Sequence, residues 1–160
     1  MKSQHDYFTF ISQKEAFLYS LTDEVGTIKN LMTSNNKMKE TDFEIFDVVF
    51  PKESYVKFPL ETQRLEIGSV STIREFYNTV SIRNELYLLR INIRHNFFDD
   101  KGLNVDSWLS YASGLDFKIK SNEDFLSILI QNVIDTISAN LNNTIKIRKS
   151  VKTKFGIKSG

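Results

Sequence analysis

Apolar side chains recur at alternating steps of three and four residues over long stretches of this sequence, and this spacing constrains the fold more than any other feature. Residues at such steps lie on one face of an α-helix. The clearest stretch covers about residues 6–34. Its apolar members are Ile11, Leu18, Leu21, Val25, Ile28 and Met32, with Lys14 as a polar member. We therefore predict a helix over this range.

A second stretch keeps the same steps without interruption. Its members are Val70, Ile73, Tyr77, Val80, Asn84, Tyr87 and Ile91. We predict a helix that begins at Leu60 or Ser69 and ends near His95, with Gly68 as the expected break. Asn84 stands where an apolar side chain is expected, and a buried amide is unfavourable unless it is paired. The favoured interpretation is a structural one, in which the amide fixes helix register. The alternative is a polar binding site in the bundle or at its interface, formed by Asn84 and Tyr77.

The remaining segments predict two short helices, two turns, an extended stretch and a last long helix. Residues 41–50 indicate a short buried helix, because Thr41 and Glu44 have the spacing of a capping box. Turns are expected at 99–102 and 113–114, with a short helix between them and an extended stretch over 117–120. The last helix is expected to begin with Ser121 as its N-cap and to run to about Arg148 or beyond. Its predicted buried face consists of Leu126, Ile130, Val133, Ile137 and Leu141.

The sequence has only six Gly and two Pro, so its long segments lack residues that break helices. Together these features predict an all-α fold, an antiparallel helical bundle of three long helices plus one or two short helices. Residues 1–145 form the expected single domain, and residues 146–160 a basic, frayed C-terminal tail.

Residues that carry common enzyme or metal chemistry are scarce. There is no Cys and there are two His, and neither His follows a Glu at the spacing of di-iron bundles. Glycine-rich phosphate loops and the nucleophile elbow are also missing. Three acidic pairs are interpreted as solvated charge, namely Asp23-Glu24, Asp99-Asp100 and Glu123-Asp124. We therefore expect no enzyme, no cofactor and no metal site.

The C-terminal segment carries the one marked charge asymmetry. After Asp135 the sequence contains no acidic residue. The cations considered for anion contact are Lys146, Arg148, Lys149, Lys152 and Lys154. Such a segment can contact nucleic acid or an anionic membrane surface. A solvated chain end is the favoured interpretation.

The order of features over residues 18–96 resembles uncharacterised prokaryotic helical domains that often follow a single membrane anchor. In that pattern a helix with an acidic start ends in an Asn-Leu step, here Asn30-Leu31, and a segment with Phe and Pro follows. A long helix then carries an Ile-x-x-x-Tyr step and a later Asn, here Ile73, Tyr77 and Asn84. The resemblance implies a sensing or scaffolding module without a known reaction.

These observations predict a non-catalytic interaction or scaffold module whose partner is another protein or a second copy of itself. The alternative is a regulator that binds nucleic acid or a membrane surface through the basic tail. No small-molecule substrate is inferred. No run approaches the roughly 20 apolar residues that span a bilayer. The expected location is cytoplasmic, or membrane-associated if an anchor precedes this sequence in the protein.

Overall fold

The computed structural model describes residues 4–38, 49–99 and 105–154, and all regular secondary structure within these ranges is helical. The elements are α1 (Gln4–Met38), α2 (Glu53–Lys57), a 3-10 turn (Leu60–Gln63), α3 (Ser69–Asp99) and α4 (Val105–Lys154). The predicted all-α class is therefore confirmed. None of the described helices contains an apolar stretch that is long enough to cross a membrane.

The stripe that predicted α1 is its buried face. All six apolar members are buried, and the polar member, Lys14, is buried with them. The ammonium of Lys14 donates a hydrogen bond to the backbone carbonyl of Arg64 at 2.9 Å. Burial lowers the pKa of Lys14, while the nearby carboxylate of Glu66 opposes this change. This cation therefore attaches the chain before α3 to α1.

Gly68 determines where α3 begins. Its φ of +86° lies in the left-handed region that glycine adopts without steric cost. Its carbonyl accepts a hydrogen bond from the backbone N–H of Thr72 at 3.1 Å. The predicted break at Gly68 and start at Ser69 are confirmed. The alternative start at Leu60 is wrong, because Leu60–Gln63 forms a separate 3-10 turn that ends at Arg64 with a left-handed φ of 49°.

The start of α4 differs from the prediction. The helix begins at Val105 rather than at Ser121, so the expected turn at 113–114 and the extended stretch over 117–120 are wrong. Ala112, Leu115 and Ile119 are buried and continue the stripe of the later part of the helix. This packing outweighs the cost of about 1 kcal/mol for a glycine inside an exposed helix.

The predicted frayed tail is helical where the structure describes it. Residues 146–154 continue α4, and Val151 is buried. The guanidinium of Arg148 contacts the carboxylate of Glu15 on α1, with Nε and Oε2 2.9 Å apart. The tertiary contacts of α4 therefore extend past residue 145, the end of the domain as predicted from the sequence.

The core lies between the three long helices, with α4 packed along both α3 and α1. Most of the core side chains come from α1, α3 and α4. Phe50 and Leu60, from the connection between α1 and α3, are also part of it. Residues 39–48 lie outside the described residues, so the predicted helix over 41–50 is untested there. Val49 and Phe50 themselves are not helical.

Candidate functional site

Asn84 holds the backbone of Phe50. The side-chain Oδ1 accepts a hydrogen bond from the Phe50 N–H at 2.9 Å, and Nδ2 donates one to the Phe50 carbonyl at 2.9 Å. Asn84 is 5% exposed and Phe50 is fully buried. An amide that satisfies both backbone groups of one residue fixes the path of the connection across α3. This geometry agrees with the structural interpretation of Asn84.

Arg83, next to this pair, is a fully buried cation that the sequence reasoning missed. Its Nε donates to Oε1 of Glu123 on α4 at 3.2 Å. The guanidinium carbon also lies 3.9 Å from the centre of the Phe50 ring, which is a close cation–π contact. Burial lowers the pKa of Arg83, and Glu123 opposes this change. Such a pair is costly to split, because either partner alone is an uncompensated buried charge.

A second ion pair lies further along the same two helices. Arg90 is 2% exposed, and its Nε lies 2.7 Å from Oδ1 of Asp116. The two arginines are seven residues apart on α3, and their two acidic partners are seven residues apart on α4. This equal spacing fixes the register of α3 against α4.

Glu24 is the centre of a third polar cluster. Its Oε1 accepts a hydrogen bond from the Tyr77 hydroxyl at 2.7 Å, and its Oε2 accepts one from the backbone N–H of Ser54 at 2.8 Å. Ser54 lies in the first turn of α2, so a carboxylate from α1 caps that short helix. The ring of Tyr55 stacks on Tyr77 with centroids 4.2 Å apart. Burial and the bond to Glu24 raise the pKa of Tyr77 above its ordinary value.

The prediction that Glu24 and Glu123 are solvated is wrong. Glu24 is 7% exposed and Glu123 is 3% exposed, so both are buried. Each lies on the side of its helix that faces the core. There Glu24 binds Tyr77, and Glu123 binds Arg83. The neighbouring residues Asp23 and Asp124 are exposed, as predicted. The side chains of Asp99 and Asp100 lie outside the described part of the structure.

Asn84 and Tyr77 are the two candidates for a polar site. Both lie near the connection between α1 and α3, but each binds a different partner. Asn84 binds Phe50, and Tyr77 binds Glu24. Each polar group is buried and paired with another group of the protein. This arrangement positions the chain between α1 and α3, and it presents neither residue to a ligand from solvent.

Two shallow depressions lie on the described surface. One, of about 310 Å³, is lined by residues of α1 and by Arg148, and it contains the Arg148–Glu15 ion pair. The other, of about 550 Å³, follows the first turns of α3 from Gly68 to Thr79. Within the described residues, no group of three His, Asp or Glu side chains is placed to hold a metal ion.

The basic residues near the end of α4 do not converge on one point. Lys146, Lys149 and Lys154 are exposed, whereas Lys152 is half-buried. Arg148 is paired with Glu15, so its charge is already balanced within the chain. Cations in the last turns of a helix also complement the helix dipole.

The solvent side of α4 carries large apolar side chains that face away from the core. We name as the outer face Gly114, Phe117, Ser121, Phe125 and Ile128. These residues follow steps of three and four along the helix, so they share one side. Phe117 is 73%, Phe125 42% and Ile128 74% exposed. Scattered apolar residues are normal on a surface, but an aligned set is typical of an interaction surface.

α3 carries two further exposed apolar residues. Ile82 and Leu89 are 50% and 44% exposed and lie seven residues apart on one side of α3. The two ion pairs between α3 and α4 place Leu89 at the same height along the helices as Phe117, and Ile82 at the same height as Asp124. The sequence reasoning missed the outer face because it assigned Phe117 to an extended stretch. A second heptad-like stripe opposite the buried one was the signal that could have revealed it.

Comparisons of the chain with models of protein families, with curated proteins and with solved structures find no match. The resemblance to prokaryotic helical domains therefore stays a prediction.

Proposed function

We propose that this protein is a non-catalytic helical interaction module that binds a protein partner through the outer face of α4. The observation that carries the proposal is the exposure of Phe117 and Ile128, three quarters of each side chain, on the side of α4 that faces away from the core. The buried polar groups serve a supporting role in this proposal, because they hold helix register and the connection in place.

We also infer that the three long helices form an antiparallel bundle, with α4 opposite in direction to α1 and α3. Support comes from the polar pairs between α3 and α4. Along α3 from Ser69 to Arg83, the bonded partner on α4 moves back from Asn140 to Glu123. The pair of Glu15 with Arg148 joins the beginning of α1 to the end of α4. In such a bundle α1 covers one side of the α3–α4 pair and leaves the outer face without a covering helix.

The exposed area indicates what kind of partner is required. Complete burial of one large apolar side chain contributes about 1.5–3 kcal/mol. Scaled by their exposed fractions, Phe117, Phe125 and Ile128 together supply roughly 3–6 kcal/mol when they are covered once. Association itself costs an estimated 4–15 kcal/mol. A stable complex must therefore gain the remainder from apolar surface that the partner itself contributes.

The alternative function, binding of an anionic partner through the end of α4, has a narrower basis. Three exposed lysines, Lys146, Lys149 and Lys154, lie within the last turns. Because Val151 is buried, removal of this segment would also remove core contacts. The suitable test is therefore Lys→Gln substitution at these three positions. Salt-dependent binding to DNA or to anionic vesicles that disappears in this variant would support the alternative over the interaction module.

Photo-crosslinking tests the proposed interaction. The photoreactive residue p-benzoylphenylalanine replaces Phe117 in one variant and Ser138, which is also exposed on α4, in the control. We expect position 117 to give discrete adducts of higher mass in cells, and position 138 to give none. Equal labelling from both positions, or no adduct from position 117, would contradict the proposal.

A further inference from the structure

We propose that the connection between α1 and α3, residues 49–68, is a lid that opens as one unit while α1, α3 and α4 stay assembled. Opening uncovers side chains of α1 and α3 that the connection covers in the closed protein. This inference does not depend on the outer face of α4, because it concerns a different part of the molecule.

The three long helices do not need the connection in order to pack together. α1 and α3 each pack along α4, whereas they do not pack along each other. They meet through side chains such as Glu24 and Tyr77. The connection contributes Phe50 and Leu60 to the main core cluster, and all other members come from the long helices. Both interfaces of α4 therefore persist when the connection moves away.

Four buried polar side chains hold the connection, and together they come from all three long helices. Each bonds to the backbone of the connection. The bonds join Asn84 to Phe50, Glu24 to Ser54, Lys14 to Arg64, and Asn140 to Glu66, at 2.8–2.9 Å. Within the described residues, backbone–backbone hydrogen bonds between the connection and a long helix occur only at its junction with α3. The connection is therefore held by side chains at points spread over its length.

This mode of attachment makes the connection less stable than the helices. Water replaces each of these hydrogen bonds when the connection opens, so the net contribution of each bond is modest. Segments with few buried apolar side chains open at a lower free energy than core helices do. The helix within the connection, α2, has five residues, and so short a helix is not stable alone in water. Loss of the bonds at one end therefore weakens the rest, and the connection opens as one unit.

The open state exposes a polar site that the closed protein hides. The ring of Tyr55 stacks on Tyr77, and the ring of Phe58 lies edge-on to Phe17 with centroids 6.0 Å apart. Opening uncovers Tyr77 and Phe17, and it frees both hydrogen-bonding groups of the Asn84 amide. Asn84 and Tyr77 are the pair that the sequence predicts as a polar binding site. The open lid is the state in which that site is accessible.

Native-state hydrogen exchange of the natural chain tests the opening. The backbone N–H groups of Phe50, Ser54 and Glu66 each donate to one of the side chains that hold the connection. We expect their protection factors to agree within about threefold, and to lie about 100-fold or more below those of Val80 and Val133 in α3 and α4. Protection as high as that of Val80 and Val133 would overturn the lid. Differences above about tenfold among the three groups would overturn its opening as one unit.

Thiol labelling tests whether the helices stay assembled. The sequence contains no cysteine, so Leu60→Cys in the connection and the matched Leu126→Cys in α4 each place a single buried thiol. The free energy of unfolding of each variant, measured in urea, gives the labelling rate that global unfolding alone allows. We expect Leu60→Cys to react with a disulfide reagent about 100-fold or more faster than this rate, and Leu126→Cys to react at this rate. Labelling of Leu60→Cys no faster than global unfolding allows, or equally fast labelling of Leu126→Cys, would overturn the proposal.

Discussion

Replacement of Asn84 by leucine removes both hydrogen bonds that the side chain makes to the backbone of Phe50. Leucine has the same branching and the same number of side-chain heavy atoms, and it fits the stripe of α3, so the change is directed mainly at hydrogen bonding. The N–H and the carbonyl of Phe50 both lie 2.9 Å from atoms of the Asn84 amide. Because Phe50 is fully buried, water cannot replace these bonds without opening the core.

The cost follows from the two groups that lose their partners. Each buried and unsatisfied backbone group costs about 1–3 kcal/mol. Leucine recovers part of this loss through better helix propensity and added apolar burial, so we expect a net destabilisation of about 2–4 kcal/mol. In a chain of this size that change lowers Tm by roughly 4–16 °C. Urea unfolding followed by circular dichroism measures it directly.

The control is Asn92→Leu, which makes the same substitution at an exposed position of α3. We expect its free energy of unfolding to stay within about 0.5 kcal/mol of that of the natural chain. If Asn84→Leu is as stable as Asn92→Leu, the amide does not hold Phe50, and the structural interpretation of Asn84 is wrong.

Three further predictions concern the buried charges and α4. Glu123→Ala should destabilise the protein by about 3–5 kcal/mol in urea unfolding, because Arg83 keeps its buried charge without a partner. The double replacement Arg83→Met with Glu123→Leu should cost less than Glu123→Ala alone; a larger cost would contradict this account. The raised pKa of Tyr77 means that the folded state keeps a phenolic proton that the unfolded state loses above about pH 10, so stability should fall as pH rises past that value. Tyr77→Phe should flatten this dependence in pH-dependent unfolding, and an unchanged slope would count against it. Gly114→Ala should raise the free energy of unfolding by about 0.5–1 kcal/mol if α4 is continuous there, whereas a loss would indicate that residue 114 lies in a turn.

The buried faces of α1 and α3 could be predicted from the sequence because side-chain spacing alone determines them. Ile11 to Met32 and Ile73 to Tyr87 lie where their periodicity places them. The start of α3 was predictable as well, since Gly68 is a residue that tolerates a left-handed φ. These features depend on local sequence and need no knowledge of distant contacts.

The start of α4 was not predictable by the same reasoning, because local and tertiary preferences disagree there. Ser113-Gly114 is typical of a turn, and Ser121 has the properties of an N-cap. Packing of Ala112, Leu115 and Ile119 against the rest of the protein keeps this segment helical in spite of those signals. Local propensity is a weak guide where a long helix is stabilised by tertiary packing.

The polar core was missed for a related reason. Glu24 and Glu123 each belong to an acidic pair, and such residues are almost never buried unless they have a partner. Their partners are distant in sequence, Tyr77 for the first and Arg83 for the second. Only the folded arrangement of the helices shows that these groups meet. Asn84 could be identified as unusual, but its bond to Phe50 could not.

The most direct test of the interaction module is the stability of a double variant, Phe117→Ser with Ile128→Ser, at a concentration where the chain is monomeric. Both side chains are about three-quarters exposed, and serine has nearly the same helix propensity as either residue. We predict a free energy of unfolding within about 1 kcal/mol of that of the natural chain, together with loss of association. A destabilisation of several kcal/mol in the monomer would show that these side chains belong to the core, and the outer face would then not exist as a binding surface.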